Sequence, residues 1–296
     1  MSRTRDRLHQ KNCAQLDSLE ELGLLIDDRA KALEIIQHLN IYRLKPYWTP
    51  LIVDQASPKV RIGTKFSSVV SLYEFDRLLR IMVLECIERV EVSIRSTFID
   101  AISTTFGSHG HYDLAHARNA EVFADIIGRH DRELQRSRNG LLQIPIRNNL
   151  HIAPPVWESC EMMSFGTLTK WIKCVLKWSL VNDIASIYDL HGSVLVSWLH
   201  HLNVTRNVAA HHGRLWNRSM TILPKMRVHN AIRYSFETST RKIYNTLVIL
   251  QYLRNIIEPD HRWKTDLVNL IDRYDIDTAL MGFPKDWQDR EVWRRG

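Results

Sequence analysis

The chain has 296 residues, of which 45% are hydrophobic and 25% charged, a composition that excludes an intrinsically disordered protein and allows one large or two small cores. It contains no run of about 18 uncharged apolar residues, and its Arg-rich N-terminus has no apolar segment, so we expect neither a membrane span nor a secretory signal, and a cytoplasmic location. Lysine and arginine exceed aspartate and glutamate by seven, and the sequence pI of 9.3 is compatible with a polyanionic partner such as nucleic acid, although charge alone leaves this open.

Glycine and proline are sparse, at 11 and 9 residues, and most segments between them repeat apolar residues with a helical period. This pattern predicts an all-α fold in which strands are at most a minor feature. Asp28 is a candidate N-cap for a helix that reaches about Asn40 and is ended by the aromatic cluster around Pro46. Ser67 is a candidate N-cap for a long helix reaching about Thr104, which we expect to be the central packing element.

One side of this long helix carries a row of charged residues, namely Arg80, Glu88, Glu91 and Arg95. The spacing of Glu91 and Arg95 suits an intrahelical ion pair. Two interpretations of the row are open. It is either a solvated, self-paired face, or a set of carboxylates that orients active-site residues on a neighbouring helix.

Further helices are predicted over residues of about 115–136, 156–163, 167–177, 181–190, 193–217, 237–257 and 261–274. The segment from Arg138 to Pro155 reads as a long loop in which Arg147 could touch RNA. Because no internal repeat or low-complexity linker occurs, we expect one domain over residues 1–296. Within it we expect an N-terminal helical extension over 1–60, a helical core over 61–257 and a C-terminal helix and tail over 258–296.

The histidines and cysteines do not form a pattern of metal ligands. His109 and His111 lie two residues apart without a third ligand in view, so we predict no metal site and no cofactor. No Cys-x-x-Cys pair occurs, and buried free thiols are the better interpretation of the four cysteines, Cys13, Cys86, Cys160 and Cys174.

The most informative segment runs from Arg206 through Asn207 to His211 and His212 and continues directly into further arginines. If the helix continues, a turn of about 100° per residue places Arg206, Asn207, His211, Arg214 and Arg218 within one polar face about 140° wide. On the same helix an apolar flank would be formed by Val204, Val208 and Leu215. His212 points elsewhere unless Gly213 breaks the helix, which makes His211 the first candidate for chemistry and His212 the reserve.

These residue types suit reactions at a phosphodiester. Arg206 stays charged and offers several donors to phosphate oxygens, whereas an imidazole such as that of His211 titrates close to neutrality and can act as base or acid. Arg214 and Arg218 are better suited to gripping an RNA backbone. The structural alternative is that Arg206 pairs with a carboxylate of the long helix and that His211 is a satisfied interface histidine.

With its neighbouring motifs, the chain resembles the Abi-like family of bacterial abortive-infection proteins (AbiD/AbiF type), which belongs to the HEPN superfamily of helical ribonucleases. The resemblance extends from about Gln15 to Trp293. Its landmarks, in chain order, are Tyr42-Arg43-Leu44, Leu72 to Arg77, the row Glu88, Glu91 and Arg95, Pro155-Val156-Trp157, Ser164-Phe165-Gly166, the block Arg206 to Arg218, and Met281-Gly282-Phe283-Pro284. The segment Gly140 to Pro145 departs from the family pattern, which bears on the choice of substrate more than on the fold.

The resemblance implies a HEPN-like helical bundle and an endoribonuclease toxin of phage defence that needs no metal or cofactor. In such an enzyme the ribose 2′-hydroxyl attacks the adjacent phosphate, so DNA cannot be a substrate. The implied roles are catalysis by Arg206, Asn207, His211 and His212, RNA binding by Arg214 and Arg218, and support by Glu88 and Glu91. The implied partners are RNA, a second copy in a homodimer, and an antitoxin of protein or RNA.

Two other functions remain open at this point. The first is a non-cleaving RNA-binding regulator or scaffold of a toxin–antitoxin system. The second is a helical module that binds only protein.

Overall fold

Apolar residues spaced by three or four positions produce helices along most of the chain. The computed structural model describes residues 2–54, 58–138, 154–228 and 231–294. Within these residues there are twelve α-helices and one short two-stranded antiparallel hairpin, which confirms the all-α prediction. Arg147 and the segment Gly140 to Pro145 lie outside the described residues.

The chain groups into two compact units. The first comprises Met1–Arg80 with Leu267–Ile276, and the second comprises Ile81–Asp266 with Asp277–Gly296. The single domain predicted from the sequence, with divisions after residues 60 and 257, partitions the chain differently and stays a prediction.

The first unit is built from the N-terminal helices. Its elements are α1 (Ser2–Glu21), α2 (Arg29–His38), α3 (Ile41–Trp48), β1 (Ile52–Asp54), β2 (Lys59–Val60) and the first turns of α4 (Phe66–Phe106). Asp28 caps α2 as predicted, because its carboxylate accepts a hydrogen bond of 3.0 Å from the backbone N–H of Lys31.

Helix α2 ends at His38, close to the predicted end near Asn40, but the aromatic cluster around Pro46 forms a further helix that was not predicted. Asn40 caps the new helix α3 by accepting a hydrogen bond of 2.9 Å from the backbone N–H of Tyr42. Proline inside a helix removes one hydrogen bond. In α3 this cost is offset by burial of three large side chains on one face, Leu44, Tyr47 and Trp48.

The long helix α4 has 41 residues and begins at Phe66, so Ser67 lies inside it and is not its N-cap. The hydrogen-bond acceptor comes from elsewhere in the chain. The Asp27 carboxylate accepts from both the hydroxyl and the backbone N–H of Ser67, and the hydroxyl bond is the main cause that lowers the pKa of Asp27. A carboxylate at this position also complements the positive end of the helix dipole.

Arg80 is buried, which contradicts the reading of its whole row as solvated. Its guanidinium pairs with the fully buried carboxylate of Asp76, which also accepts a hydrogen bond of 2.7 Å from the Tyr47 hydroxyl. Burial raises the pKa of Tyr47, followed by the effect of the Asp76 charge. The network joins α3 to α4 within the first unit, and removal of one partner would leave a buried charge uncompensated.

The second unit holds the remaining turns of α4 and most of the later helices. These are α5 (Ala120–Arg138), α6 (Val156–Met162), α7 (Phe165–Lys170), α8 (Trp178–Ser186), α9 (Gly192–Ala210), α10 (Tyr244–Ile257) and α12 (Glu291–Arg294), while α11 (Trp263–Arg273) has residues in both units. A π-helical turn over Trp171–Val175 follows α7 directly. The core of this unit is rich in fully buried aromatic residues, namely Trp171, Trp198, Trp216, Trp293, Tyr188, Tyr244, Phe98 and Phe165.

Helix α10 is buried on all sides over its first eight residues, Tyr244 to Gln251. Its charged residue Arg254 is satisfied by Glu85 of α4, with both carboxylate oxygens 2.9 Å from one guanidinium nitrogen. None of the described helices is both long and apolar enough to cross a bilayer.

Two of the four cysteines are buried free thiols, as predicted. Burial raises the pKa of Cys86 and that of Cys160 to about 12, so both remain protonated and unreactive. Cys13 and Cys174 are also free and are partly accessible.

Candidate functional site

Helix α9 carries the Arg206 to His211 motif and is anchored by a different face from the one predicted. Its buried residues near the motif are Trp198, Leu202, Thr205 and Ala209, whereas Val204 and Val208 are only half-buried. The prediction failed because small and polar residues occupy part of the buried face. The Thr205 hydroxyl, for instance, donates to the carbonyl of His201, which satisfies it inside the core.

His201 was not predicted to matter, yet it fixes the chain that returns after the motif. One of its ring nitrogens lies 2.6 Å from the carbonyl oxygen of Ile222 and the other 2.8 Å from the hydroxyl of Thr246 on α10. Burial lowers the pKa of His201 to about 4, so the ring is neutral at physiological pH. This histidine is structural and ties three segments together.

Helix α9 ends at Ala210, seven residues earlier than predicted, in a complete Schellman motif. The backbone N–H of His212 donates to the carbonyl of Ala209 at 3.0 Å, and that of Gly213 donates to the carbonyl of Val208 at 2.7 Å. These are the two reversed hydrogen bonds that satisfy the last carbonyls of a helix. The helical wheel therefore does not apply beyond residue 211.

His212 occupies the left-handed position of this motif, with φ of +59°. That position usually belongs to glycine, because a β-carbon is strained there. Glycine instead follows at 213, where a β-carbon would come within 2.9 Å of both the carbonyl oxygen and a side-chain methyl of Val208. Glycine is therefore needed at position 213 because the chain packs closely against Val208 there. The strained left-handed conformation falls on the residue before it, His212.

Arg206, Asn207 and His211 come together at this end of α9, and all three side chains are exposed. The Arg206 guanidinium donates to the Asn207 side-chain oxygen at 3.3 Å, and the backbone N–H of His211 donates to the Asn207 carbonyl at 3.0 Å. The end of α9 therefore exposes a cation (Arg206), an amide (Asn207) and an imidazole (His211) close together along the chain.

Arg214 and Arg218 lie on the returning chain and not on the helix, which corrects their predicted placement. The chain is held there by Leu215 and Trp216, both almost completely buried. The Arg214 guanidinium lies 5.9 Å from the centre of the Trp216 ring. Both arginines are partly exposed.

Lys242 is a cation near the motif that the sequence did not reveal. Its ammonium donates to Asn217, at 3.1 Å to the carbonyl oxygen and 2.6 Å to the side-chain oxygen. Partial burial lowers the pKa of Lys242, and the nearby charge of Arg214 lowers it further. No local pattern marks this lysine, because only the fold brings it to Arg214 and Asn217.

The carboxylates Glu88 and Glu91 adopt the self-paired arrangement. Glu91 pairs with Arg95, whose guanidinium also donates to the carbonyls of Cys160 and Met163 at the end of α6. Glu88 is exposed, 3.6 Å from Arg89. Across the part of the chain that the structure describes, neither carboxylate pairs with Arg206 or His211, so a supporting role for them is not visible within one copy.

The electrostatics of this end favour cations. The C-terminus of a helix carries partial negative charge, which stabilises positive side chains in the last turn and by itself repels an anion. A phosphate that binds here would need cationic side chains to offset this repulsion. Among the described residues, Arg214 and Lys242 lie close to each other, and Arg206 and Arg218 are the other cations of the motif and the returning chain. Phosphate binding and cationic clustering are thus linked at this site.

The comparisons with known proteins identify the family. The family model of the Abi-like proteins matches residues 34–217, more than half of the chain, and the matched region includes the whole motif up to Asn217. Membership of this family suggests a function in abortive infection. Neither the search of curated proteins nor that of solved structures found a significant match. On the family match, the chain belongs to the Abi-like protein family.

Proposed function

We propose that this Abi-like protein is an endoribonuclease toxin that acts in abortive infection, with Arg206 and His211 as its catalytic pair. The observation that carries the proposal is the joint exposure of Arg206, Asn207 and His211 at the capped end of α9. The all-α fold is consistent with the HEPN superfamily. Among the described residues, the contact seen for Arg206 is to Asn207 and not to a carboxylate, which supports the proposal over the structural alternative for this arginine.

The proposed reaction needs a base, an acid and a cation. The His211 imidazole takes the proton of the 2′-hydroxyl, the 2′-oxygen forms a bond to phosphorus, and the bond from phosphorus to the 5′-oxygen breaks. An imidazolium then gives its proton to the departing 5′-oxygen, leaving a 2′,3′-cyclic phosphate and a 5′-hydroxyl end. The acid would be His212, or His211 of a second copy of the chain.

Arg206 would stabilise the extra negative charge that develops on the phosphorane oxygens, since its guanidinium remains charged and donates from several nitrogens. Asn207 would hold the guanidinium through the contact of 3.3 Å already described. Arg214, Arg218 and Lys242 would contact neighbouring phosphates and fix the position of the strand.

The decisive experiment incubates purified protein with total RNA in the presence of EDTA and maps the chemistry of the new ends. We expect cleavage that survives the chelator and leaves cyclic-phosphate ends. Arg206→Ala and His211→Ala should each reduce the rate by about 100-fold or more, as expected for loss of a charge-stabilising donor or an acid–base group. Lys225→Ala, an exposed cation outside the motif, is the control and should cut as the native chain does.

Expression in cells gives a second measurement. The native chain should arrest growth, and both variants should relieve the arrest while their thermal unfolding stays native-like. Equal toxicity of native chain and variants would contradict the catalytic assignment. Binding of RNA by the native chain without any cyclic-phosphate ends would identify a non-cleaving regulator instead.

A further inference from the structure

The second unit contains a cavity of about 330 Å³ that the proposed reaction does not use. Its walls come from α5, α7, the π-helical turn and α9. The volume falls within the range of small-molecule sites, about 300–1,000 Å³, and is large enough for a nucleotide.

The cavity adjoins the candidate active site through the register of α9. His200 and Asn203 line the cavity, and Asn207 follows at the same helical face, since positions three and seven residues apart lie on one side of a helix. The axial distance from His200 to Asn207 is about 10 Å at 1.5 Å per residue. A strand held at Arg206 and His211 that runs back along this face therefore reaches the cavity.

One side of the cavity is buried and largely apolar and the other is exposed and cationic, a combination that suits a nucleotide. Its inner side includes buried Ile126 and Thr169, which offer an apolar surface and a hydroxyl. The exposed side chains at its opening include the cations Lys170 and Lys173. An apolar interior with cations at the mouth fits a base inside and a phosphate outside.

Two polar groups of the cavity can read the edge of a base. The Asn203 amide provides both donors and an acceptor. Asp125 provides acceptors only, because a hydrogen bond of 2.9 Å from Arg129 lowers the pKa of its carboxyl and keeps it ionised. The Asp125 side chain is exposed, so it stands on the outer side of the cavity, where its carboxylate accepts hydrogen bonds from the amino groups of bases and repels phosphate.

An exposed aromatic residue extends the site. The Arg118 side chain donates to the carbonyl of Lys173, and its guanidinium lies 4.3 Å from the centre of the Trp178 ring. Trp178 is 46% exposed, so part of its ring is accessible to a ligand. Aromatic rings beside cations are the common device for binding unpaired nucleotides, because bases stack on the ring while the cations meet the backbone.

We propose that this cavity and the adjoining Trp178 form a subsite for unpaired nucleotides of single-stranded RNA, next to the bond that is cut. The inference rests on the proposed function, because it takes the strand from Arg206 and His211 along α9. It further implies that base-paired RNA binds more weakly, since its bases can neither enter the cavity nor stack on Trp178.

The test measures binding separately from cleavage. The probe is a single-stranded oligonucleotide of about 12 nucleotides with 2′-O-methyl riboses, which lacks the attacking hydroxyl and cannot be cut. Fluorescence anisotropy over a range of salt concentrations gives the affinity and its salt dependence. Lys170→Ala with Lys173→Ala should weaken binding about tenfold and reduce the slope of log affinity against log salt by about 1.4, or 0.7 for each lost phosphate contact.

The matched control is Lys225→Ala with Lys285→Ala, which removes the same charge from exposed positions of the same unit outside the cavity. This pair should bind almost as the native chain does. Trp178→Ala should weaken binding about 5- to 100-fold, whereas Trp178→Phe, which keeps an aromatic ring, should retain most of the affinity.

The outcomes separate the two proposals. Native-like binding by the cavity variants, equal binding of a duplex, or equal binding of free adenosine monophosphate would each overturn the subsite. If Arg206→Ala abolishes cleavage of ordinary RNA and the cavity variants bind normally, the nuclease proposal stands without the subsite. If no chain cuts RNA but the cavity variants still lose affinity for the probe, the subsite stands and the nuclease proposal falls.

Discussion

His211 and His212 are adjacent in sequence, but their backbones have opposite hand: His211 is right-handed and His212 is left-handed. His211 is the last residue with near-helical backbone, with φ of −86° and ψ of 19°, while His212 is left-handed with φ of +59°. The two histidines therefore stand on backbone of opposite hand, and the proposed reaction gives them separate roles. Strained residues persist where the surrounding structure enforces them and are frequent at functional sites.

The strain at His212 predicts a gain in stability on substitution by glycine. His212→Gly should raise the free energy of unfolding by about 0.5–1 kcal/mol, because relief of the left-handed strain exceeds the entropic cost of glycine. Urea unfolding measures the change. His212→Ala also removes the ring but keeps the β-carbon, so it is the matched control and should give no gain. A stabilised but inactive glycine variant would assign His212 to the chemistry, and a less stable one would contradict the prediction.

Local sequence is sufficient for some residue assignments and insufficient for others. Asp28 is predictable as a cap because its partner lies three residues away, whereas the Asp27 carboxylate that serves Ser67 lies 40 residues from it. Lys242 and His201 act through contacts across 21 to 45 residues. Side chains that work at such separations carry no local signal.

Helix α5 packs against the π-helical turn and the Gly110–Tyr112 turn through a buried cluster of histidines and aromatic rings. The His130 ring lies 5.7 Å from that of Trp171, and His111 lies 4.0 Å from Tyr112. Burial lowers the pKa of both histidines, and that of His111 reaches about 3. Within the described residues, neither ring nitrogen of His130 has a hydrogen-bond partner.

This cluster predicts acid lability. Between the low pKa of the folded state and the ordinary value near 6.5, the unfolded chain binds more protons than the folded chain, so acid favours unfolding. The stabilisation is complete above about pH 6.5 and is lost as the pH falls towards 3 for His111. Each such histidine steepens the loss of unfolding free energy by up to about 1.4 kcal/mol per pH unit.

The variant that tests this is His130→Leu, measured by urea unfolding at several pH values. We expect a shallower loss of stability as the pH falls below about 6.5, and no loss at pH 7, because the substitution removes buried nitrogens without partners in the described chain. His38→Leu, at an exposed position, controls for the loss of one histidine. An unchanged slope in His130→Leu would show that this ring does not contribute.

The positions of the helices follow from the periodicity of apolar residues, but the residues at which they begin and end depend on packing against distant parts of the chain. The span of α9 is predictable to its last turn, and the error begins where His212 adopts the left-handed conformation although glycine stands at 213. Helix α3 shows the converse case, because burial of Tyr47 and Trp48 outweighs a proline that signals a break. Tertiary packing decided both outcomes.

For the whole molecule, a single copy carries one motif, and the family resemblance implies a composite site between two copies. The exposure of Arg206 and His211 leaves both side chains accessible to a second copy. The cavity beside α9 was not predictable at all, because its residues come from segments spread over about 80 positions and only the fold unites them.

Mixing two inactive chains tests the composite site. Light scattering should show a dimer, and Arg206→Ala combined with His211→Ala chains should recover part of the cleavage, since each mixed dimer holds one intact guanidinium and one intact imidazole on different copies. Each variant alone is the control and should stay inactive. A monomer in solution would contradict the composite site. Mixed dimers as inactive as their parents would contradict a site built from Arg206 of one copy and a single His211 of the other.

The capped end of α9 has a consequence for control. Its final turn is secured by the two reversed hydrogen bonds and by the bond from the His211 N–H to the Asn207 carbonyl, and its last residues are exposed, so a local opening of this turn would leave the buried body of the helix in place. If the turn unwinds, Arg206, Asn207 and His211 lose their alignment, so one equilibrium governs both the winding of the turn and the alignment of these groups. A molecule that prefers the wound form would favour the proposed activity, and one that prefers the unwound form would silence it, so an inhibitor would need only to trap a few loosened residues.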